Sequence, residues 1–410
     1  MNKKLLLLIF QLASVVAYCQ PTKIYLSPKA AGGGNQSLFI DSLKFYPLKL
    51  PANMEIGGYS YLINTDRYYL VTVYSDEALF VFSKDGQFIK KITYKKLGSG
   101  AYPRYDKAKQ RLNFIYINKS YQLTERDNVK IRADFANKKN KKYYKKFTID
   151  LNDSSFALKK AEVTAFDILD AYNLKEDYYF TYRIHVSEDY KDSIDYEVKV
   201  YKDDKFVRGY FPYNKKNEPR YLYSQGLSAI TLESGKPDTF YVTRPFTDTV
   251  YSLSNNVITP MYQMVLPMEN GLPKSFFTTN FKSKTERDNF ERNNGWLLRQ
   301  IYSVYESKKY MLVTIGFLSN YGRYIYDKKT MRSYNLEKIK PDSLTFNLPI
   351  LTDGGGGNRN KFYTIINAQQ LKKAYELKAK SAPFPKELEA CFKDPKNPSP
   401  LIVEYTFKTN

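Results

Sequence analysis

Three features of the 410-residue sequence predict an all-β chain arranged as a six-bladed β-propeller. A strand-turn-strand unit recurs six times, the last copy has no outer strand after it, and an alternating segment near the start can supply one. The clearest unit runs from Tyr68 to Pro103. Tyr68 to Val73 and Ala78 to Phe82 are β-branched and aromatic runs, Asp85-Gly86 is a tight turn that tolerates positive φ, and Phe88 to Ile92 returns. The expected architecture is six blades closed by N- and C-terminal strands in one blade, with small helical insertions.

Residues 1–20 have the pattern of an export signal: Asn2-Lys3-Lys4, an apolar run from Leu5 to Phe10, and a cleavage region at Ala17-Tyr18-Cys19. The run is too short and too broken by Gln11 and Ser14 to span a bilayer. Cys19 suggests a lipoprotein anchor, but the bulky Tyr18 before it argues against lipidation. The mature chain is therefore expected in the periplasm or at the cell surface, and with Cys19 removed only Cys391 remains, so no internal disulfide is expected. Residues 21–37, with Gly32-Gly33-Gly34, lack the apolar surface to order themselves and predict a flexible linker. The propeller then occupies 38–410.

An aromatic-aliphatic strand like Tyr68 to Val73 returns at Arg111 to Tyr116, Asp177 to Tyr182, Asp238 to Thr243, Lys309 to Thr314 and Lys361 to Ile366, and is expected to be the inner strand of each blade. The strand after it returns as Phe147 to Leu151, Val198 to Tyr201, Val250 to Leu253, Tyr324 to Tyr326 and Leu401 to Phe407. Equivalent positions in these strands (Phe82, Ile149, Tyr201, Leu253, Tyr326, Tyr405) are more than roughly 50 residues apart, which predicts insertions. Leu401 to Phe407 ends the chain, so Leu38 to Leu48 is expected to pair beside it and cover an otherwise open edge.

Two insertions read as helical. Lys282 to Trp296 offers Ser283 or Thr285 as cap with Glu286 in the first turn, and Ala368 to Phe392 divides at Pro383-Phe384-Pro385. Asp353 to Asn358 is a glycine loop followed by a strand, not by the helix with Lys-Ser/Thr that a phosphate cradle needs.

The charge is +22, which predicts attraction to polyanions. No helix-turn-helix, zinc-finger or RNA-recognition signature accompanies it, so nucleic acid is not expected. The densest basic run, Lys138 to Lys146, reads as a solvated loop entering a strand. A single histidine, His185, removes most metal and triad schemes, and the chain lacks His-Glu-x-x-His, Gly-x-Ser-x-Gly, a Walker loop and Cys-x-x-Cys. Paired carboxylates such as Asp76-Glu77 and Asp203-Asp204 fall in turns, where neighbouring side chains diverge. No metal, cofactor or catalytic residue is assigned.

Asp76 to Ile92 followed by Gly98-Ser99-Gly100-Ala101-Tyr102-Pro103 resembles an NHL-type blade. Together with Ile40-Asp41-Ser42-Leu43 and the ending Asn397 to Lys408, it makes residues 38–408 similar to the exported six-bladed β-propeller family of Bacteroidetes. The resemblance implies cell-envelope proteins, mostly without assigned activity, and brings no catalytic motif. It also implies O-glycan acceptors at Ser42, Ser193, Thr249 and Ser343, each in an Asp-Ser/Thr-aliphatic tripeptide.

In a propeller the loop joining the inner two strands and the loop between blades are expected to gather on one face, where ligands bind. Asp76, Arg104, His185, Arg244, Asn320, Tyr321 and Arg323 fall in such loops. Among these Arg104, His185, Arg244, Tyr321 and Arg323 are the candidate ligand-binding residues, since an arginine fork suits a carboxylate or phosphate and a tyrosine stacks on a sugar ring. The reading these features favour is an exported binding or scaffold module, monomeric, for an acidic glycan or other envelope polyanion. The alternatives are a lyase-like enzyme on acidic glycans, with Tyr or His185 as base and Arg244 or Arg323 neutralising the substrate carboxylate, and docking of a protein partner on the basic rim.

Overall fold

The structure is a computed structural model. It describes residues 20–51, 54–56, 60–95, 97, 103–107, 109–175, 178–181, 194–214, 230–233, 239–279, 281–351, 357–358, 361–394, 396 and 398–409. The described residues form six sheets, each built on four antiparallel strands. In chain order the first blade is Ser60–Asn64, Tyr68–Val73, Ala78–Ser83 and Phe88–Thr93; the second is Pro103–Asp106, Arg111–Ile117, Tyr144–Asp150 and Lys159–Ala161. The third is Tyr172–Lys175, Tyr178–Thr181, Ile194–Lys202 and Lys205–Asn214; the fourth is Ile230–Glu233, Thr239–Thr243, Thr249–Ser254 and Val257–Val265. The fifth is Leu298–Glu306, Tyr310–Phe317, Tyr321–Asp327 and Arg332–Lys340, and the sixth is Gly357–Asn358, Lys361–Ile366, Leu401–Phe407 and Ile40–Pro47. The strands expected to be innermost are therefore second in their sheets. A first strand precedes each, from the nine residues Leu298–Glu306 down to the two residues Gly357–Asn358.

Contacts divide the chain into two compact units, residues 1–32, 171–306 and 310–335 in one and 33–170, 307–309 and 336–410 in the other. In the second unit the sixth blade is closed as expected: Leu401–Phe407 pairs antiparallel with Ile40–Pro47, Val403 opposite Phe45. Pairing the edge of Leu401–Phe407 satisfies backbone groups that would otherwise face solvent or another chain. Further bonds extend the closure, from Leu48 N to Pro400 O at 2.8 Å and from Lys408 N to Phe39 O at 2.9 Å. Gly86, at φ +82°, lies against this strand: a Cβ there would sit 2.1 Å from Pro47 O, so the Asp85-Gly86 turn admits no other residue without displacement.

The cores follow from alternation. Leu70, Leu79, Val81, Leu112, Phe114 and Ile149 form one fully buried cluster between the first and second blades, and Val71, Phe80, Phe82, Tyr363 and Ile402 form another between the first and sixth. Ile301, Val304, Met311, Val313, Ile315, Val250 and Met264 do the same between blades of the other unit. Each fully buried aliphatic or aromatic side chain contributes about 1.5–3 kcal/mol, which has to carry stability without a disulfide. Cys391 is buried and free, and burial pushes its thiol up to about 12.

The expected linker 21–37 is ordered in part. Thr22–Tyr25 adds a fifth, parallel strand to the fourth blade, Thr22 opposite Tyr262 and Tyr25 opposite Val265, and buries Ile24 and Leu26. Two apolar residues in the correct alternation outweigh a composition poor in them. Gly32–Asn35 is also a strand, and Gly33 lies flat on Lys338, its absent Cβ 2.6 Å from the Lys338 carbonyl.

Among the helical insertions, Ser283 caps Lys284–Asn293 through Glu286 N, and Ala368–Glu376 is followed after the proline break by Lys386–Glu389. Two short helices were not anticipated, Glu125–Ala133 and Ala165–Leu169, each started by a threonine capping box, Thr124 with Asp127 and Thr164 with Asp167. The lysine run forms a 3-10 turn, Lys138–Tyr143, that leads into Tyr144–Asp150.

Candidate ligand-binding site

Of the sequence candidates among the described residues, Arg104 lies on a first strand, Arg244 directly follows a second strand, and Tyr321 and Arg323 lie at the start of a third. Arg244 follows the second strand of the fourth blade and reaches Glu197 on the third strand of the third blade. Its Nε donates to Glu197 Oε2 at 2.8 Å and its Nη2 to Oε1 at 2.6 Å, while the guanidinium covers the Phe211 ring at 4.2 Å. Glu197 is only 8% exposed, so this fork holds a buried carboxylate of the chain itself. Arg104, on the first strand of the second blade, pairs through Nη1 with Asp170. Asp170 is itself buried in a left-handed conformation, φ 59°, at the C-terminal cap of Ala165–Leu169. Both arginines thus engage carboxylates far away in sequence. His185 lies outside the described residues.

Tyr321 and Arg323 start the third strand of the fifth blade. Alternation places both on one face, with Tyr321 opposite Gly316 and Arg323 opposite Thr314. The Tyr302 ring covers Gly316 on that face, where a Cβ would lie 2.1 Å from Tyr302 Cε2. Tyr321 is 59% exposed. Near the same strand ends the sole tryptophan, Trp296, packs on Phe317 at 5.2 Å and keeps about half its surface in solvent.

A basic pocket lies elsewhere, on the second blade, and is absent from the sequence candidates. Register puts Tyr116 opposite Lys145 and Phe147 opposite Lys160, so all four side chains share one face. With Leu97 and Lys119 they line a cavity of about 330 Å³. The Tyr116 and Phe147 rings are stacked at 6.3 Å and 14°, and burial raises the Tyr116 pKa, keeping the phenol neutral. The three lysines are exposed, and among the described residues no carboxylate lines the pocket or pairs with them. Three ammonium groups beside an apolar wall attract an anion that also carries a flat or sugar-like surface. The signal was present in Lys145-Lys146-Phe147, whose alternate residues share a face, but the partners come from strands some thirty residues before and a dozen after.

A larger groove of about 770 Å³ runs along the outer strand of the sixth blade, from Asp41 to Tyr46, against Leu344, Phe346 and Pro385. Asp41 and Glu387 balance Lys44 and Lys408 there, so it has no net preference for an anion. Ser42 lies in it and shares a hydrogen bond of 2.7 Å with Thr406. Among the described residues no group of His, Cys, Asp and Glu is placed to hold a metal ion, and no helix is long and apolar enough to cross a membrane.

The six sheets, each built on four antiparallel strands, define a β-propeller. A family described as 6-bladed beta-propeller matches residues 21–362, and the chain belongs to that family. The match begins at residue 21, so it includes the segment expected to be a linker. Among solved structures the chain is similar to a candidate exported protein from Bacteroides fragilis, at 15% identity over 94% of this chain and 100% of the other, TM-score 0.58. A domain-of-unknown-function protein from Bacteroides vulgatus shares 9% identity over 90% and 97%, TM-score 0.42. An acylaminoacyl peptidase from Pyrococcus horikoshii shares 12% over 75% of this chain and 43% of that one, TM-score 0.31. No curated protein matches the chain.

Proposed function

We propose that the chain is an exported propeller that binds an acidic glycan, with the pocket of Lys119, Lys145 and Lys160 as its anion site. The observation that carries this reading is the gathering of three lysines without a carboxylate against the stacked Tyr116 and Phe147. The first twenty residues and the likeness to a candidate exported protein support export. Tyr321 and Arg323 are a second contact in this reading, an exposed ring beside a cation that suits a sugar carrying a carboxylate. Arg104 and Arg244 contribute to the frame through Asp170 and Glu197. Binding is favoured over elimination because the Arg244 fork is filled by Glu197, leaving it no free edge for a substrate carboxylate.

Titration calorimetry with oligogalacturonate, a uronic-acid polymer, at low and high salt tests the proposal. Salt-sensitive binding that falls at least about tenfold in Lys145→Glu/Lys160→Glu supports it. Binding unaffected by those changes, or absent at low salt, overturns the assignment of this pocket.

A further inference from the structure

One arrangement of side chains occurs twice between neighbouring blades, once in each compact unit. In the fourth blade Tyr241 on the second strand and Tyr262 on the fourth point at the fifth blade, where Lys328 follows the third strand and Glu306 ends the first. Tyr241 and Tyr262 donate to Glu306 Oε2 at 3.1 and 2.9 Å, and Lys328 Nζ to Oε1 at 2.9 Å. The sixth and first blades repeat the layout. Tyr363 and Tyr46 occupy the positions of Tyr241 and Tyr262, Lys84 that of Lys328, and Asn64 that of Glu306. The register fixes the last two: Asn64 stands opposite Tyr69 as Glu306 stands opposite Met311, and the residue before each lysine pairs with Tyr68 or Tyr310.

The repeat differs in where the carboxylate lies. In the sixth blade it has moved to Glu404, opposite Tyr363, where it accepts from Tyr363 at 3.0 Å and Tyr46 at 3.4 Å and pairs with Lys361 at 3.2 Å. Lys84 is left with a neutral partner. Its Nζ donates to Asn64 Oδ1 and sits 4.1 Å from the centre of the buried Tyr69 ring. Among the described residues no carboxylate lies in ion-pair range of it. Asp66 and Glu404 act on it only at a distance and favour the ammonium, but burial outweighs them and lowers its pKa to about 8. Lysines made nucleophilic near neutral pH are those held desolvated and without a direct counter-ion.

We propose that Lys84 is a covalent capture site for small aldehydes, the open-chain form of a reducing sugar included. The neutral amine adds its lone pair to the carbonyl carbon, a C–N bond forms, and the carbonyl oxygen leaves as water with the two amine protons, giving an imine. No oxidant or reductant is needed. Half-buried Lys84 lies over the Tyr69 ring with Asn64 as its direct partner, whereas Lys328 is paired with the Glu306 carboxylate.

The test is labelling of the full chain with glycolaldehyde at about pH 7. Cyanoborohydride supplies the hydride that traps each imine as a secondary amine, and peptide mass mapping reads the rates. Lys84 is expected to react at least about tenfold faster than Lys328 and than exposed lysines such as Lys119. Its rate should level off above about pH 8. Asn64→Asp, which places a carboxylate where the fifth blade has Glu306, should bring Lys84 down to the rate of Lys328. Equal rates for Lys84 and Lys328, or a Lys84 profile without the early plateau, overturn the proposal. The profile is measured on the unsubstituted protein, so it decides even if Asn64→Asp fails to fold.

Discussion

Phe45 stands opposite Val403, and that one pairing holds together segments far apart in the sequence. Val403 is fully buried in a strand paired on both sides. Val403→Pro removes a ladder hydrogen bond and clashes with the neighbouring strand, so it should abolish cooperative unfolding of the sixth blade. Ser42→Pro, near the start of the outer strand, should cost less. Thermal melts and hydrogen exchange over Lys361–Ile366 distinguish the two.

The Arg244–Glu197 pair sits beneath a covering ring and is largely out of water. Removing one partner leaves a buried charge alone, so Arg244→Met should cost about 3 kcal/mol. Arg244→Met combined with Glu197→Leu should recover most of it. Urea unfolding of the singles and the double measures the coupling; strictly additive losses would contradict the pairing.

Acid should loosen the contact between the fourth and fifth blades. Burial pushes the Glu306 pKa up, but hydrogen bonds from Lys328, Tyr262 and Tyr241 outweigh it and hold the carboxyl below its ordinary value. A depressed carboxyl contributes stability above its unfolded pKa of about 4.5 and loses it as pH falls through the folded value. The melting temperature should therefore drop below about pH 4.5, with a smaller drop in Glu306→Gln.

Lys84 gives the same sign of pH dependence in a more alkaline window. With a folded pKa of about 8 against an unfolded value near 10.5, the unfolded chain binds more protons between these limits, and stability rises with pH across them. Lys84→Met should remove that rise and leave the protein at least as stable at neutral pH, by an amount on the order of 1 kcal/mol. Chemical denaturation of both proteins at about pH 7 and 9.5 checks the sign.

Much of the frame was legible because it is written in local patterns. The Asp85-Gly86 turn, the period-two runs of the second and third strands, and the Ser283 cap each depend on residues within a few positions. First strands such as Pro103–Asp106 and Gly357–Asn358 were not legible, being too short to show alternation. Thr22–Tyr25 escaped because its two buried residues, Ile24 and Leu26, sit in a stretch otherwise composed like a tether. The roles of Arg104 and Arg244 depend on Asp170 and Glu197, and the lysine pocket on three strands of one sheet. Long-range pairing of this kind leaves no local trace.

The closure of the sixth blade also orders events in time. Ile40–Pro47 is made well before its partner Leu401–Phe407, which lies far downstream in the sequence. Until then the early strand has no ladder to join and is available to any other strand edge, including that of a neighbouring nascent chain. Folding of this blade must therefore wait until Leu401–Phe407 has emerged, and a binding factor that shields residues 40–47 during the wait should raise the yield of native protein.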